Sequence, residues 1–122
     1  MNDCVLHTKN LEFGYKNILT NPTSLQANIN DIICVIGRNG IGKSALLNTL
    51  SGILPHKSGG IYYNNTDIKK IKAFERPKLV SFVPSKPEFL LNLTVYEMAS
   101  LGRYPYTNIF DNKNQSDKVI IE

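Results

Sequence analysis

The chain has 122 residues, of which 42% are hydrophobic and 20% are charged, and its net charge is +4. This length suits one domain with a modest core and excludes two, and the composition is that of an ordinary globular chain. No apolar run approaches the length of a membrane-spanning helix, and the N-terminus lacks the basic and apolar pattern of a secretory signal.

The cysteine and lysine residues indicate the cellular compartment of the protein and the kind of partner it binds. Cys4 and Cys34 lie far apart in predicted strands, which favours buried, reduced thiols over a disulfide or a metal pair and is typical of a cytosolic protein. Lys69, Lys70 and Lys72 form a small basic cluster without interleaved aromatic residues. We therefore expect a solvated helix face there and no nucleic-acid partner.

The N-terminal third of the chain predicts extended structure. Residues 4–13 resemble a strand with a break near Asn10, and residues 14–17 resemble a turn. A second strand is predicted over residues 23–29, where apolar and polar residues alternate. Residues 31–36 are short, apolar and β-branched, which is typical of a buried parallel strand.

A complete phosphate-binding motif follows that strand. Residues 37–44 are Gly-Arg-Asn-Gly-Ile-Gly-Lys-Ser, which matches G-x-x-x-x-G-K-[ST], and a helix is predicted over residues 45–51 with a stop at Gly52. The glycines let backbone N–H groups point at an anion, and the helix dipole adds positive charge there. We expect Lys43 to reach the β- and γ-phosphates of a nucleoside triphosphate, and the Ser44 hydroxyl to bind Mg²⁺.

The rest of the chain alternates turns with short elements. A strand is predicted at residues 61–63, a short helix over residues 68–74 and another strand over residues 79–83. Thr94, with Glu97 three residues later, predicts a capped helix that runs to about Leu101. A loop over residues 104–114 and a helix opened by Ser116 complete the pattern. This order indicates an α/β fold with an antiparallel β subsheet.

The motif and its surroundings resemble the ABC-type ATPases, the nucleotide-binding domains of ABC transporters. The inner residues Gly-x-Asn-Gly-x-Gly-Lys-Ser are similar to that family's loop, and Tyr15 resembles its adenine-stacking aromatic residue. Residues 50–54 and 58–61 resemble its helix end and returning strand, and residues 80–84 resemble the strand before its glutamine loop. Residues 93–97 and 101–105 are similar to the importers of iron-siderophore, haem and cobalamin.

The resemblance implies a P-loop NTPase fold, ATP and Mg²⁺ as ligands, and a role in energising the uptake of an iron chelate or a similar metal complex. Transmembrane permease subunits, a homodimer of the complete domain and a cytoplasmic position at the inner face of the membrane are implied as well. The implied nucleotide-binding residues are Tyr15, Gly37, Asn39, Gly40, Gly42, Lys43, Ser44 and Ala45, with Ser44 also the Mg²⁺ ligand.

Two residues depart from the family pattern. Ser85 stands where the family has a glutamine that contacts Mg²⁺ and the attacking water, and serine is too short for that role. Ala45 replaces a usual threonine, which should weaken nucleotide binding by about 1 kcal/mol.

The family's signature sequence, Walker B aspartate, catalytic glutamate and switch histidine have no match in these 122 residues. We therefore expect residues 1–122 to form the N-terminal part of one ATP-binding domain, which binds nucleotide weakly and does not hydrolyse it. A half-sheet with an exposed apolar face should also be prone to aggregation. The alternatives are a short non-catalytic nucleotide- or partner-binding protein, a decayed gene product, and a non-transport ABC ATPase.

Overall fold

The structure is a computed structural model that describes residues 4–84 and 93–106. It divides into two compact units, residues 1–80 and residues 81–122. The first unit contains the phosphate-binding motif and most of the described elements.

A four-stranded antiparallel sheet forms the frame of the first unit. Its strands are β1 (Cys4–Glu12), β2 (Gln26–Asn28), β3 (Ser58–Tyr63) and β4 (Thr66–Asp67), in the order β2-β1-β3-β4. The predicted antiparallel subsheet is therefore confirmed. The strand predicted over residues 23–29 is shorter than expected, although an isolated bridge between Leu11 and Thr23 extends its pairing with β1.

The predicted break near Asn10 is a bulge in β1. The pairing register with β3 shifts between Lys9 and Glu12, and Asn10 has a φ of 45°. The bulge changes which residues face the core, because Thr8 is buried before it whereas Leu11 is buried after it. The opposite face of the sheet carries His7, whose ring stacks on that of Tyr62 at 4.7 Å.

The helix that follows the motif, α1 (Lys43–Leu50), lies against this sheet. It begins two residues earlier than predicted and Gly52 follows its end, as expected. The core between them consists of Leu11, Phe13, Ala45, Ile61 and Ile68. Tyr63 on β3 donates a hydrogen bond of 2.5 Å from its hydroxyl to the Leu50 carbonyl. The sheet therefore holds the end of the helix as well as its apolar face.

The prediction of a parallel strand over residues 31–36 is wrong. The segment forms no strand and is exposed throughout, with Ile32 98% and Ile36 87% exposed. A parallel strand needs a hydrogen-bonded neighbour, and within the described residues no backbone hydrogen bond joins residues 32–36 to another segment. Cys34 is consequently exposed rather than buried, and both cysteines are free thiols.

Two further predictions beyond β4 are also wrong. Residues 68–74 form turns instead of a helix, and the helix of this region is α2 (Arg76–Leu79). Pro77 favours a start at that point because its fixed φ suits the first turn of a helix. The strand predicted over residues 79–83 therefore does not form, and the three clustered lysines are exposed but lie outside any helix.

In the second unit, α3 (Val95–Leu101) confirms the predicted capped helix. The Thr94 hydroxyl accepts a hydrogen bond from the Glu97 N–H at 3.3 Å, and the Glu97 carboxylate accepts one from the Thr94 N–H at 2.8 Å. Tyr104–Tyr106 form a turn of 3-10 helix where a loop was predicted. The rest of that loop and the helix predicted from Ser116 lie outside the described residues. Across residues 4–84 and 93–106, no helix is long and apolar enough to cross a membrane.

Candidate functional site

The phosphate-binding motif is a loop that ends at the start of α1. Gly42 is the N-cap of this helix, and no side-chain hydrogen bond caps the first turn. That turn also contains no acidic residue. Its backbone N–H groups and the positive end of the helix dipole are therefore left for an external anion.

Glycine is required at position 42 by the backbone conformation and by the neighbouring side chains. Its φ of 110° is one that side-chain-bearing residues rarely adopt. A Cβ atom there would lie 3.3 Å from Leu19 Cδ1 and 3.6 Å from Phe13 Cε2. The loop therefore reaches the helix in close contact with the segment that follows β1.

Lys43 closes the loop on itself. Its Nζ atom donates to the carbonyl oxygens of Gly37 at 2.7 Å and Arg38 at 2.8 Å. An ammonium group has three protons, so one remains for another acceptor. The side chain thus holds the curl of the loop while keeping a positive charge beside it.

The other motif residues divide between the surface and the core. Asn39 and Gly40 occupy an exposed turn, and the Ser44 hydroxyl makes no hydrogen bond within the described part of the chain. Ala45 is only 2% exposed, and its side chain belongs to the hydrophobic core. A ligand at the loop could therefore meet Ala45 only through its backbone N–H.

Tyr15 lies in a tight loop after β1. The Leu19 N–H donates to the Phe13 carbonyl at 2.9 Å and closes this loop. Gly14 is required in it, because a Cβ atom at this position would lie 2.0 Å from the Asn17 carbonyl oxygen. The Tyr15 side chain is 59% exposed, so a face of its ring is available for stacking.

The structure also reveals a contact that sequence reasoning missed. Asn48 on α1 donates from Nδ2 to the Tyr15 hydroxyl at 3.1 Å, which links the aromatic residue to the helix that begins with Lys43. The available signal was a polar residue five positions after Lys43, next to Leu46, Leu47 and Leu50.

Other predicted features lie elsewhere. Ser85 falls outside the described residues. The segment of residues 101–105 belongs to the second unit, where Gly102 caps α3 and the Arg103 guanidinium lies 4.8 Å from the centroid of the Tyr106 ring.

At the other end of α1, the Nε2 atom of His56 is buried without a hydrogen-bond partner among the described residues. Burial lowers the pKa of this imidazole, and the positive charge of Lys69 lowers it further. Asp67 and a hydrogen bond with the Gly59 backbone act in the opposite direction.

These features fit a magnesium-bound nucleoside triphosphate. The uncapped helix start and the Lys43 ammonium suit the phosphates, and the exposed Tyr15 ring suits the base. No group of three or more His, Cys, Asp or Glu that could hold a metal occurs among residues 4–84 and 93–106. A hydroxyl, phosphate oxygens and water are a usual environment of Mg²⁺.

Comparison with known proteins identifies the family of the chain. The family model described as ABC transporter matches residues 20–122. An uncharacterized ABC transporter ATP-binding protein of Methanocaldococcus jannaschii is 36% identical over 118 residues, which cover 96% of this chain and 41% of the relative. The iron(3+)-hydroxamate import ATP-binding protein of Bacillus subtilis is 33% identical, with 96% of this chain and 44% of the relative covered.

A solved structure extends the similarity to the fold. An ABC transporter assigned to the metal-chelate type, in an inward-facing conformation, is 28% identical with a TM-score of 0.72. The match covers 96% of this chain and 41% of that one. The chain thus spans about two-fifths of the length of the curated relatives above, at 41% and 44%. It belongs to the ABC transporter family and has the P-loop fold of the family's ATP-binding domain.

Proposed function

We propose that this chain binds ATP with Mg²⁺ as the ATP-binding part of an ABC importer for an iron chelate. The observation that carries the proposal is the complete phosphate-binding loop, folded at an uncapped helix start with the Lys43 ammonium held against it. The proposed nucleotide-binding residues are Tyr15, Gly37, Asn39, Gly40, Gly42, Lys43, Ser44 and Ala45.

Each residue has a role that its position supports. The glycines, Asn39 and Ala45 present backbone N–H groups, and the remaining Lys43 proton reaches the β- and γ-phosphates. The Ser44 hydroxyl holds Mg²⁺, which neutralises phosphate charge. Tyr15 stacks on the adenine.

The importer assignment is supported by the relatives. One of them is an iron(3+)-hydroxamate import ATP-binding protein, and the matching solved structure is assigned to a metal-chelate type. On this proposal residues 1–122 form part of one ATP-binding domain. Its partners are transmembrane permease subunits and a second copy of the complete domain, and it works at the cytoplasmic face of the membrane.

Isothermal titration calorimetry with Mg·ATP tests the binding site. We expect Lys43→Ala to weaken binding at least tenfold, because a hydrogen bond to a charged group contributes about 1.5–3 kcal/mol. Lys9→Ala is the matched control, since Lys9 lies over the Tyr62 ring on the opposite face of the sheet. If the wild type does not bind Mg·ATP, or if Lys43→Ala binds it equally well, the proposed site is wrong.

A phosphate-release assay tests the activity of the 122 residues. We expect no ATP hydrolysis by this chain, because hydrolysis requires a carboxylate beside the γ-phosphate and the sequence contains no Walker B motif. Turnover that disappears in Lys43→Ala would contradict this expectation.

Uptake in cells tests the transport role. Deletion of the gene should reduce the uptake of radiolabelled ferric hydroxamates, and the Lys43→Ala gene should fail to restore it. Unchanged uptake of ferric chelates in the deletion strain would contradict the importer assignment while leaving ATP binding intact.

A second candidate is a non-catalytic protein that binds nucleotide. It is favoured by Ala45, whose buried methyl group cannot offer the hydroxyl of the family's threonine. An intact mass of the native product that equals these 122 residues, together with ATP binding and normal ferric-chelate uptake in the deletion strain, would support it.

A further inference from the structure

The hydrogen bond between Asn48 and Tyr15 joins α1 to the aromatic ring of the proposed nucleotide site. We infer that Asn48 is a positioning residue, which holds the Tyr15 ring in place for stacking on the base of the bound nucleotide. The inference rests on the proposed function, since it concerns the base end of the same site.

The two residues are far apart in sequence and close in space. Asn48 Nδ2 lies 3.1 Å from the Tyr15 hydroxyl, across a sequence separation of 33 residues. Asn48 follows Lys43 by five residues on α1, which is about 7.5 Å along the helix axis. One rigid helix therefore carries both the phosphate-binding ammonium and the anchor of the aromatic ring.

The Tyr15 ring needs such an anchor. The backbone of its loop is fixed by the Leu19–Phe13 hydrogen bond and by the close turn at Gly14. The ring itself is largely exposed, and its hydroxyl accepts a hydrogen bond from Asn48. A free ring would lose rotational entropy when a base stacks on it, whereas an anchored ring has lost that entropy already.

Asn48 is itself held firmly. It is half-buried, and its backbone carbonyl oxygen accepts hydrogen bonds from the Leu54 N–H at 2.9 Å and the Ser51 hydroxyl at 3.0 Å. The donor that meets Tyr15 therefore belongs to a helix end with a fixed geometry.

A double-mutant cycle with two ligands tests this role. The variants are Tyr15→Phe, which removes only the hydroxyl, Asn48→Leu, and the pair together. Tyr62→Phe is the matched control, since it removes a phenolic hydroxyl from the other face of the sheet. The Kd of each is measured by calorimetry for Mg·ATP and for Mg·tripolyphosphate, which has no base.

We expect each single variant to weaken Mg·ATP about threefold to tenfold, as the loss of one hydrogen bond does. The double variant should be no weaker than either single one, because both remove the same interaction. The Kd for tripolyphosphate should stay unchanged in all variants, and Tyr62→Phe should bind both ligands as the wild type does.

Other outcomes would overturn the inference. Equal losses for both ligands would mean that Asn48 supports the helix and its phosphate loop. Losses that multiply in the double variant would mean that the residues act independently. An unchanged affinity in Asn48→Leu, with a loss in Tyr15→Phe, would mean that the Tyr15 hydroxyl acts without Asn48.

Two controls keep the result interpretable. Circular dichroism checks that each variant folds, and Asn48→Ala replaces Asn48→Leu if the larger side chain disturbs the helix. If the wild type binds neither ligand, the proposed function fails and the inference fails with it. If the wild type binds both ligands, any failure concerns Asn48 only.

Discussion

Ala45 faces the core although it belongs to the phosphate-binding helix. Its methyl group packs with Leu11, Phe13, Ile61 and Ile68, while its backbone lies in the first turn of α1. A larger side chain at this position would therefore change the core in addition to any change at the ligand.

We expect Ala45→Thr to lower the free energy of unfolding. Two added heavy atoms must enter a packed site, which costs about 1–3 kcal/mol. Urea unfolding with and without Mg·ATP measures this cost. If the variant is as stable as the wild type and binds Mg·ATP more tightly, the side chain faces the ligand and not the core.

His56 makes the free energy of unfolding depend on pH. Burial and Lys69 lower its pKa from the ordinary value of 6.5 in the folded chain, so the unfolded chain takes up the proton first. We expect the free energy of unfolding to fall as the pH falls through 6.5 towards the folded pKa. Urea midpoints at several pH values check this, and the part due to His56 should vanish in His56→Gln. An identical acid dependence in that variant would assign the effect to other groups.

At the scale of elements, α1 is held at both ends by polar contacts. Lys43 binds the loop carbonyls at its start, and Tyr63 binds the Leu50 carbonyl at its end. The second contact matters because the last carbonyls of a helix have no partner within it.

We expect Tyr63→Phe to lower the free energy of unfolding by about 1 kcal/mol, since it leaves the Leu50 carbonyl without this donor. Urea unfolding measures the change, with Tyr62→Phe as the control. Equal losses in both variants would show that the hydrogen bond to α1 has no special effect.

Tyr63→Phe should also change how the free energy of unfolding falls at high pH. Burial raises the pKa of Tyr63 from 10.0 to about 12, so the unfolded chain ionises first. Stability contributed by this group is present below pH 10 and is lost as the pH rises towards 12. Unfolding monitored between these values should show this loss in the wild type and a smaller one in Tyr63→Phe.

The elements predicted best from the sequence are those that depend on residues close together in the chain. The bulge at Asn10, the helix after the phosphate loop and the capping box at Thr94 depend on residues within a few positions of each other. The strands predicted at residues 31–36 and 79–83 failed because an apolar run becomes a strand only where a neighbour pairs with it. The Asn48–Tyr15 contact was missed because it joins residues 33 positions apart.

At the scale of the whole molecule, the main feature is the exposed run of β-branched residues before the loop. Such an extended apolar segment with unpaired backbone groups is a site for association with other chains. We expect Ile32→Lys and Ile36→Lys to reduce self-association and to change the free energy of unfolding by less than about 0.5 kcal/mol.

Light scattering coupled to size-exclusion chromatography checks this expectation over a range of concentrations. Ile53→Lys is the matched control, because Ile53 is also exposed but lies outside the run. Equal association of all three variants and the wild type would show that the run is not the contact.

The bulge at Asn10 also sets a rule for insertions and deletions in the first strand. A strand alternates its faces in steps of two, and the extra residue switches the buried set from even positions, such as Thr8, to odd ones, such as Leu11 and Phe13. Without the bulge, regular alternation over the same residues would turn Leu11 towards water and Glu12 towards the core. A one-residue insertion or deletion in a turn therefore leaves the buried residues of this strand unchanged, whereas one in a regular part of the strand exchanges its buried and exposed faces.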